Sequence, residues 1–191
     1  MRNRRLLSAV NVKTAIALLG IMAISLAGAR AQDAERAKAR ALVDAAIKMT
    51  DSDQAVKLLW QASDIDPTLN DAYVYLGLYY NSRGDFAKVA EVYKKLIKYQ
   101  PRQLSAYLNV GEAYMSFSPP KYDEALTYYK KAYELDPNSS FAALRLGEIL
   151  AQQGNRADAI RYLKQASADT VKNPAIASEA QKILNQVGGA L

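Results

Sequence analysis

The chain has 191 residues and contains no histidine and no cysteine, which excludes Ser-His and Cys-His nucleophile pairs, thiolate or imidazole zinc sites, the usual haem ligands and disulfides. Its formal charge is +6, but five of its 25 basic residues and none of its 19 acidic residues lie within residues 1–31. The remainder is nearly neutral, so there is no electrostatic case for a nucleic-acid partner.

The first 31 residues have the layout of an export signal, with a basic start, an apolar run over 15–29 and a small-x-small sequence ending at Ala31. At about 1.5 Å per residue, the apolar run spans about 22 Å, less than the roughly 30 Å hydrocarbon core of a bilayer. We therefore predict a signal peptide, 1–31, that is cleaved after Ala31, and a periplasmic protein that does not insert in the membrane. The alternative is an uncleaved segment that anchors the protein to the inner membrane. The basic residues of the start are Arg2, Arg4 and Arg5.

Helical periodicity runs from about Ala34 to Val187, with no sustained apolar-polar alternation of the kind that indicates a strand. Three X-Pro pairs interrupt it, and each is predicted to end a helix because proline disfavours the helical conformation in the residue before it. Shorter breaks between them indicate tight turns. The sequence therefore predicts pairs of helices of about a dozen residues each. The three X-Pro pairs are Asp66-Pro67, Gln100-Pro101 and Asp136-Pro137.

The second helices share one pattern, which recurs at steps of 34, 36 and 34 residues. A fixed period of this size indicates a stacked array of equal supersecondary units. The copies are Ala55-x3-Leu59-x2-Ala62-x4-Pro67, Val89-x3-Tyr93-x2-Leu96-x4-Pro101, Ala125-x3-Tyr129-x2-Ala132-x4-Pro137 and the weaker Ala159-x3-Leu163-x2-Ala166.

The first helices carry a second pattern. Its copies are Tyr73-x2-Leu76-Gly77-x2-Tyr80, Tyr107-x2-Val110-Gly111-x2-Tyr114, Ala143-x2-Leu146-Gly147-x2-Leu150 and the degenerate Ala39-x2-Leu42-Val43-x2-Ala46. Glycine in the middle of a helix costs roughly 0.5 to 1 kcal/mol relative to alanine. We therefore expect Gly77, Gly111 and Gly147 to lie where the two helices of a pair approach closely.

Together the two patterns resemble the tetratricopeptide repeat over roughly residues 36–171. The resemblance implies an all-α fold, a right-handed α-solenoid of about four helix pairs over 32–173, followed by a capping helix and tail over 174–191. The pairs are expected at about 36–69, 70–103, 104–139 and 140–173. Two additional residues between Tyr114 and Ala125 predict a longer loop at 116–121 in the third pair.

In tetratricopeptide arrays the first helices line a concave groove, and the resemblance implies such a groove here. Helical spacing selects the side chains that would line it. They can bind a peptide or partner helix through apolar contacts, with polar groups setting its register; the alternative is packing between neighbouring first helices. The predicted groove residues are Val74, Tyr75, Leu78, Asn81, Leu108, Asn109, Glu112, Met115, Phe141, Leu144, Arg145 and Glu148.

No catalytic, cofactor-binding or metal-binding residues are predicted. The paired aspartates Asp51 and Asp53, and Asp64 and Asp66, lack the glycine and the final glutamate of a calcium loop. The sequence favours a non-enzymatic adaptor of the bacterial cell envelope that binds another protein or peptide. The alternative is a stably bound structural subunit of an envelope assembly, for instance in outer-membrane, cell-wall, pilus or secretion machinery.

Overall fold

The computed structural model describes residues 12–50 and 52–188, and its regular secondary structure in those ranges is entirely helical. The basic start of the predicted signal, Asp51 and the last three residues of the tail lie outside this description. The helices are α1 (Val12–Ala46), α2 (Ser52–Ile65), α3 (Asn70–Ser82), α4 (Phe86–Tyr99), α5 (Leu104–Met115), α6 (Tyr122–Leu135), α7 (Ser140–Gln152), α8 (Arg156–Ser167) and α9 (Pro174–Gly188).

The chain divides into two compact units, with the boundary between Leu69 and Asn70. In the first unit α1 packs against α2, and the ion pair between Arg36 Nε and Asp66 Oδ2, 3.6 Å apart, connects α1 to the residue that follows α2. Helix α1 begins at Val12, earlier than the sequence periodicity suggests, and continues through Ala31. Among the described residues, none of the helices combines the length and hydropathy that a bilayer-spanning segment requires.

The second unit contains α3 to α9, and each helix packs against the next one in the chain. The predicted all-α architecture of sequential helix pairs is therefore confirmed. Helices α2, α4 and α6 end one residue before the X-Pro pairs, and the pre-proline residue Gln100 has left the helical region with φ −130° and ψ 74°. Asp136 has done the same, with φ −141° and ψ 94°.

The turns inside two of the pairs use a glycine and a cap. Gly84 and Gly154 have φ of 69° and 77°, a left-handed conformation that costs glycine little. Asp85 and Asn155 follow them, and their side chains accept hydrogen bonds from Lys88 N and Asp158 N in the first turns of α4 and α8. This arrangement reverses the chain within three residues between consecutive helices.

The third pair has neither a left-handed glycine nor a side-chain cap in its turn, and its loop is longer, as predicted. Residues 116–121 separate α5 from α6, and Lys121 provides no side-chain cap. The loop packs on its own pair instead, since the ring of Phe117 stacks on Tyr114 with centroids 5.8 Å apart and the Lys121 ammonium lies 4.5 Å from the centre of the Phe117 ring.

The mid-helix glycines lie where the two helices of a pair approach closely. A Cβ placed on Gly77 would lie 2.5 Å from the Tyr93 hydroxyl oxygen, one on Gly111 would lie 2.6 Å from the Tyr129 ring, and one on Gly147 would lie 2.6 Å from Leu163 Cγ. Each neighbour is a signature residue of the second helix of the same pair. The predicted close approach is therefore confirmed, and it explains why the chain tolerates the cost of glycine in these helices.

Candidate functional site

The surface formed by the first helices α3, α5, α7 and by α9, called the first-helix face below, carries the predicted groove residues. On α3 the apolar side chains are open to solvent: Val74 is 44% exposed, Tyr75 39% and Leu78 60%. Asn81 is also exposed. Positions 74, 78 and 81 lie on one side of the helix because residues four and three apart are neighbours on its surface. This side of α3, with Tyr75 beside it, is called the α3 patch below.

On α5 the predicted residues are partly enclosed. Leu108 and Met115 pack against the core formed by α6 and α7, which leaves them half-buried. The Asn109 side chain donates to the Ser105 carbonyl oxygen of its own helix at 2.8 Å. Only part of each of these side chains is therefore available to a partner.

On α7 one predicted groove residue is in the interior. Leu144 is 1% exposed and belongs to the core cluster that contains Leu163 of α8 and Ala180 of α9. The sequence prediction that Leu144 lines an open groove does not match this position. The reason is that α9 packs directly against α7 and covers the side chain. Phe141, Arg145 and Glu148 of the same helix are half-buried.

Arg145 is the centre of an ion-pair network, called the Arg145 network below. Its Nε and Nη2 atoms donate to Glu112 Oε1 and Oε2 at 2.8 and 3.2 Å, which is a two-pronged contact between α7 and α5. Its Nη1 donates to Glu148 Oε2 at 2.8 Å and lies 4.0 Å from Glu179 Oε1 of α9. The Tyr129 hydroxyl of α6 donates to the Glu112 carboxylate. One guanidinium on α7 therefore faces three carboxylates on α5, α7 and α9, and the bond from Tyr129 to Glu112 adds α6 to the network.

The network shifts the pKa of its members. Burial lowers the pKa of Arg145, but the charges and hydrogen bonds of Glu112 and Glu148 outweigh burial and raise it. The pKa of Tyr129 is raised, first by burial and then by its hydrogen bond to Glu112. Arg145 therefore keeps its charge, and Tyr129 keeps its proton as a donor.

The raised pKa of Tyr129 predicts a loss of stability in alkali. An unfolded phenol titrates near pH 10, so the contribution of Tyr129 is fully present below that pH and is lost above it, at up to about 1.4 kcal/mol per pH unit. Tyr129→Phe should cost about 1 kcal/mol at pH 7 through the missing hydrogen bond and flatten the decline between about pH 10 and 11. Urea unfolding at three pH values measures both effects.

The control for this prediction is the same substitution at Tyr99, which is 45% exposed. Tyr99→Phe should change the free energy of unfolding at pH 7 by no more than about 0.5 kcal/mol. Parallel curves for wild type and Tyr129→Phe above about pH 10 would contradict the proposed role of the buried phenol.

A cleft of about 460 Å³ opens between α7 and α9, and it was not predicted from the sequence. Glu148 and Glu179 contribute carboxylates, and Lys182 contributes an ammonium. The sequence signal was present in α9, where Ile176, Ala180, Ile183 and Val187 mark the buried side and so place Glu179 and Lys182 next to it. The remaining lining residues are Ala151, Gln152, Ile183, Gln186 and Val187.

On the second helices, a lysine of α4 contacts tyrosine rings of the next helix pair. The Lys94 ammonium of α4 donates to the Tyr114 hydroxyl and lies 4.9 and 5.8 Å from the ring centres of Tyr114 and Tyr128. This lysine therefore connects the second and third pairs. Within the described ranges, no group of three or more acidic residues is arranged to hold a metal ion.

Two family models described as tetratricopeptide repeat match residues 76–140 and 121–183, which together span more than half of the chain. Both matches lie on the helix pairs whose glycine and tyrosine contacts are described above. The chain is a tetratricopeptide repeat protein. Tetratricopeptide repeat arrays are non-catalytic scaffolds that typically mediate protein–protein interactions.

Curated relatives of this tetratricopeptide repeat protein are much longer than it is. Anaphase-promoting complex subunit 3 of Schizosaccharomyces pombe is 27% identical over 96 residues, and human Superkiller complex protein 3 is 25% identical over 130 residues. The matches cover 50% and 67% of this chain, but only 14% and 8% of those proteins. The likeness is therefore to a small part of each relative.

Solved structures similar to this tetratricopeptide repeat protein agree on the fold. A thermophilic protein of the same repeat type from Thermus thermophilus has a TM-score of 0.56 and 24% identity, covering 79% of this chain and 83% of that one. The TPR2B domain of yeast Sti1, solved as a complex with pHsp70, has a TM-score of 0.56 and 23% identity, covering 62% and 95%. PcrH, solved with the chaperone binding region of PopD, has a TM-score of 0.56 and 20% identity, covering 61% and 89%.

Proposed function

We propose that this protein is an adaptor of the bacterial cell envelope that binds a peptide or partner helix on its first-helix face. The observation that carries the proposal is the α3 patch. Its apolar side chains Val74, Tyr75 and Leu78 are 39 to 60% exposed, although the signature residues of the same helix, Tyr73 and Leu76, are fully buried. An unfilled apolar surface on a well-packed helix suits a partner contact.

The size of the α3 patch fits an anchor for a partner of moderate affinity. A micromolar complex needs about 8 kcal/mol, and burying a valine, leucine or aromatic side chain completely is worth about 1.5 to 3 kcal/mol. The half-exposed side chains of the patch can supply part of this energy. The partner must obtain the rest along α5, α7 and α9.

Two of the similar structures support a partner segment as the ligand class, since the TPR2B domain of Sti1 was solved as a complex with pHsp70 and PcrH with a region of PopD. The envelope location rests on the basic, apolar and small-x-small pattern of residues 1–31. Export, with cleavage after Ala31 or retention as an inner-membrane anchor, is part of the proposal.

Paired variants test the proposal in cells. Tyr75→Ala combined with Leu78→Ala should reduce the recovery of crosslinked partners at least about tenfold by quantitative mass spectrometry of the tagged protein, with unchanged helical content by circular dichroism. The matched control is Tyr99→Ala, which removes an aromatic ring with 45% exposure from the second helix α4. Equal recovery from the double variant and the wild type would move the interface away from the first-helix face.

A stably bound structural subunit of an envelope complex is the second candidate. The small number of helix pairs favours it, because a short array has a first-helix face of limited area and often forms one side of a larger assembly. Purification under mild conditions separates the two proposals. Stoichiometric partners that remain bound support the subunit, and a lone chain supports the adaptor.

A further inference from the structure

We propose that the segment bound on the first-helix face carries a lysine or arginine side chain, which binds in the cleft between α7 and α9 while apolar residues of the same segment cover the α3 patch. This inference rests on the proposed function and specifies the chemistry of the partner. It is carried by the shape and lining of the cleft and by the charges around Arg145.

The lining of the cleft matches a long basic side chain. Ala151, Ile183 and Val187 give it apolar walls, and the carboxylates of Glu148 and Glu179 lie beside them. Lysine and arginine bury their aliphatic stems along apolar surface while their charged ends bind polar groups. A volume of about 460 Å³, open to solvent, accommodates such a side chain without rearrangement of the helices.

The carboxylates of the cleft are only partly used within the protein. Glu148 binds Arg145 through Oε2. Glu179 is 52% exposed, and its Oε1 atom reaches Arg145 only at 4.0 Å, which is beyond hydrogen-bond distance. Oxygen atoms of both side chains therefore remain able to accept hydrogen bonds from an ammonium or guanidinium group.

The charge of the region favours a cation over an anion. Arg145 is held by Glu112 through two hydrogen bonds and by Glu148 through a third, so its donors are directed at carboxylates of the protein. Lys182 is the cation among the residues that line the cleft, and Arg145 lies next to it without lining it. Three carboxylates against these two cations leave a negative balance, and an acidic segment would have to displace Glu112 before it could bind Arg145.

The distance between the α3 patch and the cleft also predicts how far apart the apolar anchors and the basic residue of the partner lie along its chain. Of the helices on this face, α7 and α9 pack directly on each other, and packed helices lie about 8 to 10 Å apart. Because α5 lies between α7 and α3 in the array, the cleft and the α3 patch are at least roughly 25 Å apart. An extended chain covers that distance in about eight residues at about 3.3 Å each. The basic residue should therefore lie about eight positions from the apolar anchors in an extended ligand.

Peptide selection on the purified full chain tests this inference. A phage library of random peptides of about 16 residues, twice the expected spacing, is selected in parallel on the wild type, on Glu148→Gln/Glu179→Gln and on a control, Glu91→Gln/Glu134→Gln. The control has the same charge change, in carboxylates that pair with Lys88 and Lys131 on the surfaces of second helices. Wild type and control should enrich peptides with apolar anchors and a Lys or Arg about eight residues away, and the cleft variant should lose the basic enrichment.

Affinities of one selected peptide complete the test. In fluorescence anisotropy, Glu148→Gln/Glu179→Gln should bind it at least about tenfold more weakly than the wild type. Replacing the basic residue of the peptide by glutamine should cause a similar loss, and the two losses should not add. Glu179→Gln alone, which disturbs only the 4.0 Å contact, should weaken binding measurably and remain folded by circular dichroism.

The two experiments distinguish a failure of this inference from a failure of the proposed function. Peptides that bind through Tyr75 and Leu78 but show no basic preference, or an acidic one, would overturn this inference and leave the proposed function intact. Unchanged affinity of the cleft variant for a lysine-bearing peptide would do the same. If no peptide were retained by the wild type, both the peptide-binding function and the inference would be lost.

Discussion

Replacing Gly111 by leucine is expected to lower the free energy of unfolding by about 3 kcal/mol or more. A single Cβ at this position already lies 2.6 Å from Cε1 of the Tyr129 ring and 2.7 Å from its Cζ. The ring cannot move away easily, since Tyr129 is fully buried and its hydroxyl is bound to Glu112. The better helix propensity of leucine returns at most about 1 kcal/mol.

Thermal and urea unfolding measure this effect. At about 2 to 4 °C per kcal/mol for a protein of this size, the melting temperature should fall by about 6 to 12 °C. Gly188→Leu is the matched control, because a Cβ there meets nothing within 4 Å, and it should stay within about 0.5 kcal/mol of the wild type. A melting temperature of Gly111→Leu equal to that of Gly188→Leu would show that α5 and α6 are not packed as described.

A double substitution identifies the cause of the loss. In Gly111→Leu/Tyr129→Ala the new side chain has the space of the missing ring. The combined loss should therefore be smaller than the sum of the two single losses by about 1 kcal/mol or more. If the losses in the free energy of unfolding of the two single variants added in the double variant, the clash would not be with Tyr129.

Replacing Arg145 by methionine is expected to cost about 2 kcal/mol. The substitution keeps a side chain of similar length but leaves Glu112, Glu148 and Glu179 facing one another without the guanidinium. Loss of one partner of a fully buried pair costs about 3 to 5 kcal/mol, and the lower value here reflects solvent access, since the Arg145 and Glu112 side chains are 21% and 38% exposed. The melting temperature should fall by about 4 to 8 °C.

Salt and a surface control separate this network from an ordinary ion pair. The Arg145→Met variant should regain part of its lost stability in about 0.5 M sodium chloride, because salt screens the repulsion among the carboxylates. Lys131→Met breaks an exposed pair with Glu134, 2.7 Å long, and should leave the free energy of unfolding close to that of the wild type. If Arg145→Met lowered the free energy of unfolding no more than Lys131→Met does, the Arg145 network would contribute little to the packing of the third pair against the fourth.

Local features of the structure were predictable because their causes lie within a few residues. Proline at 67, 101 and 137 ends helices through its effect on the preceding residue, and Gly84 and Gly154 fit left-handed turns that few other residues adopt. The contact of Gly111 with Tyr129 was also predictable, although 18 positions separate them. A mid-helix glycine and a large residue on the following helix recur in three copies of the repeat, which indicates that the two positions face each other.

The candidate site was predictable only in part. The α3 patch lies where helical spacing places it, with Tyr75 and Leu78 exposed. Leu144 fits the same spacing but is buried, because a helix that begins only at Pro174 covers it. Spacing gives the side of a helix on which a residue lies, and it does not show which other helix packs on that side.

The repeat, the helix ends at the X-Pro pairs and the pairing within each repeat follow from the amino-acid sequence alone, since backbone preferences and a short-range pattern of small and aromatic residues set them. Three features required the three-dimensional fold: α9 covers Leu144, Arg145 binds Glu112 across 33 positions, and Glu148 and Glu179 share a cleft. Contacts of this kind depend on the register and rotation of separate helices, which many side chains set together. The partner-binding properties proposed for the first-helix face depend on those same contacts.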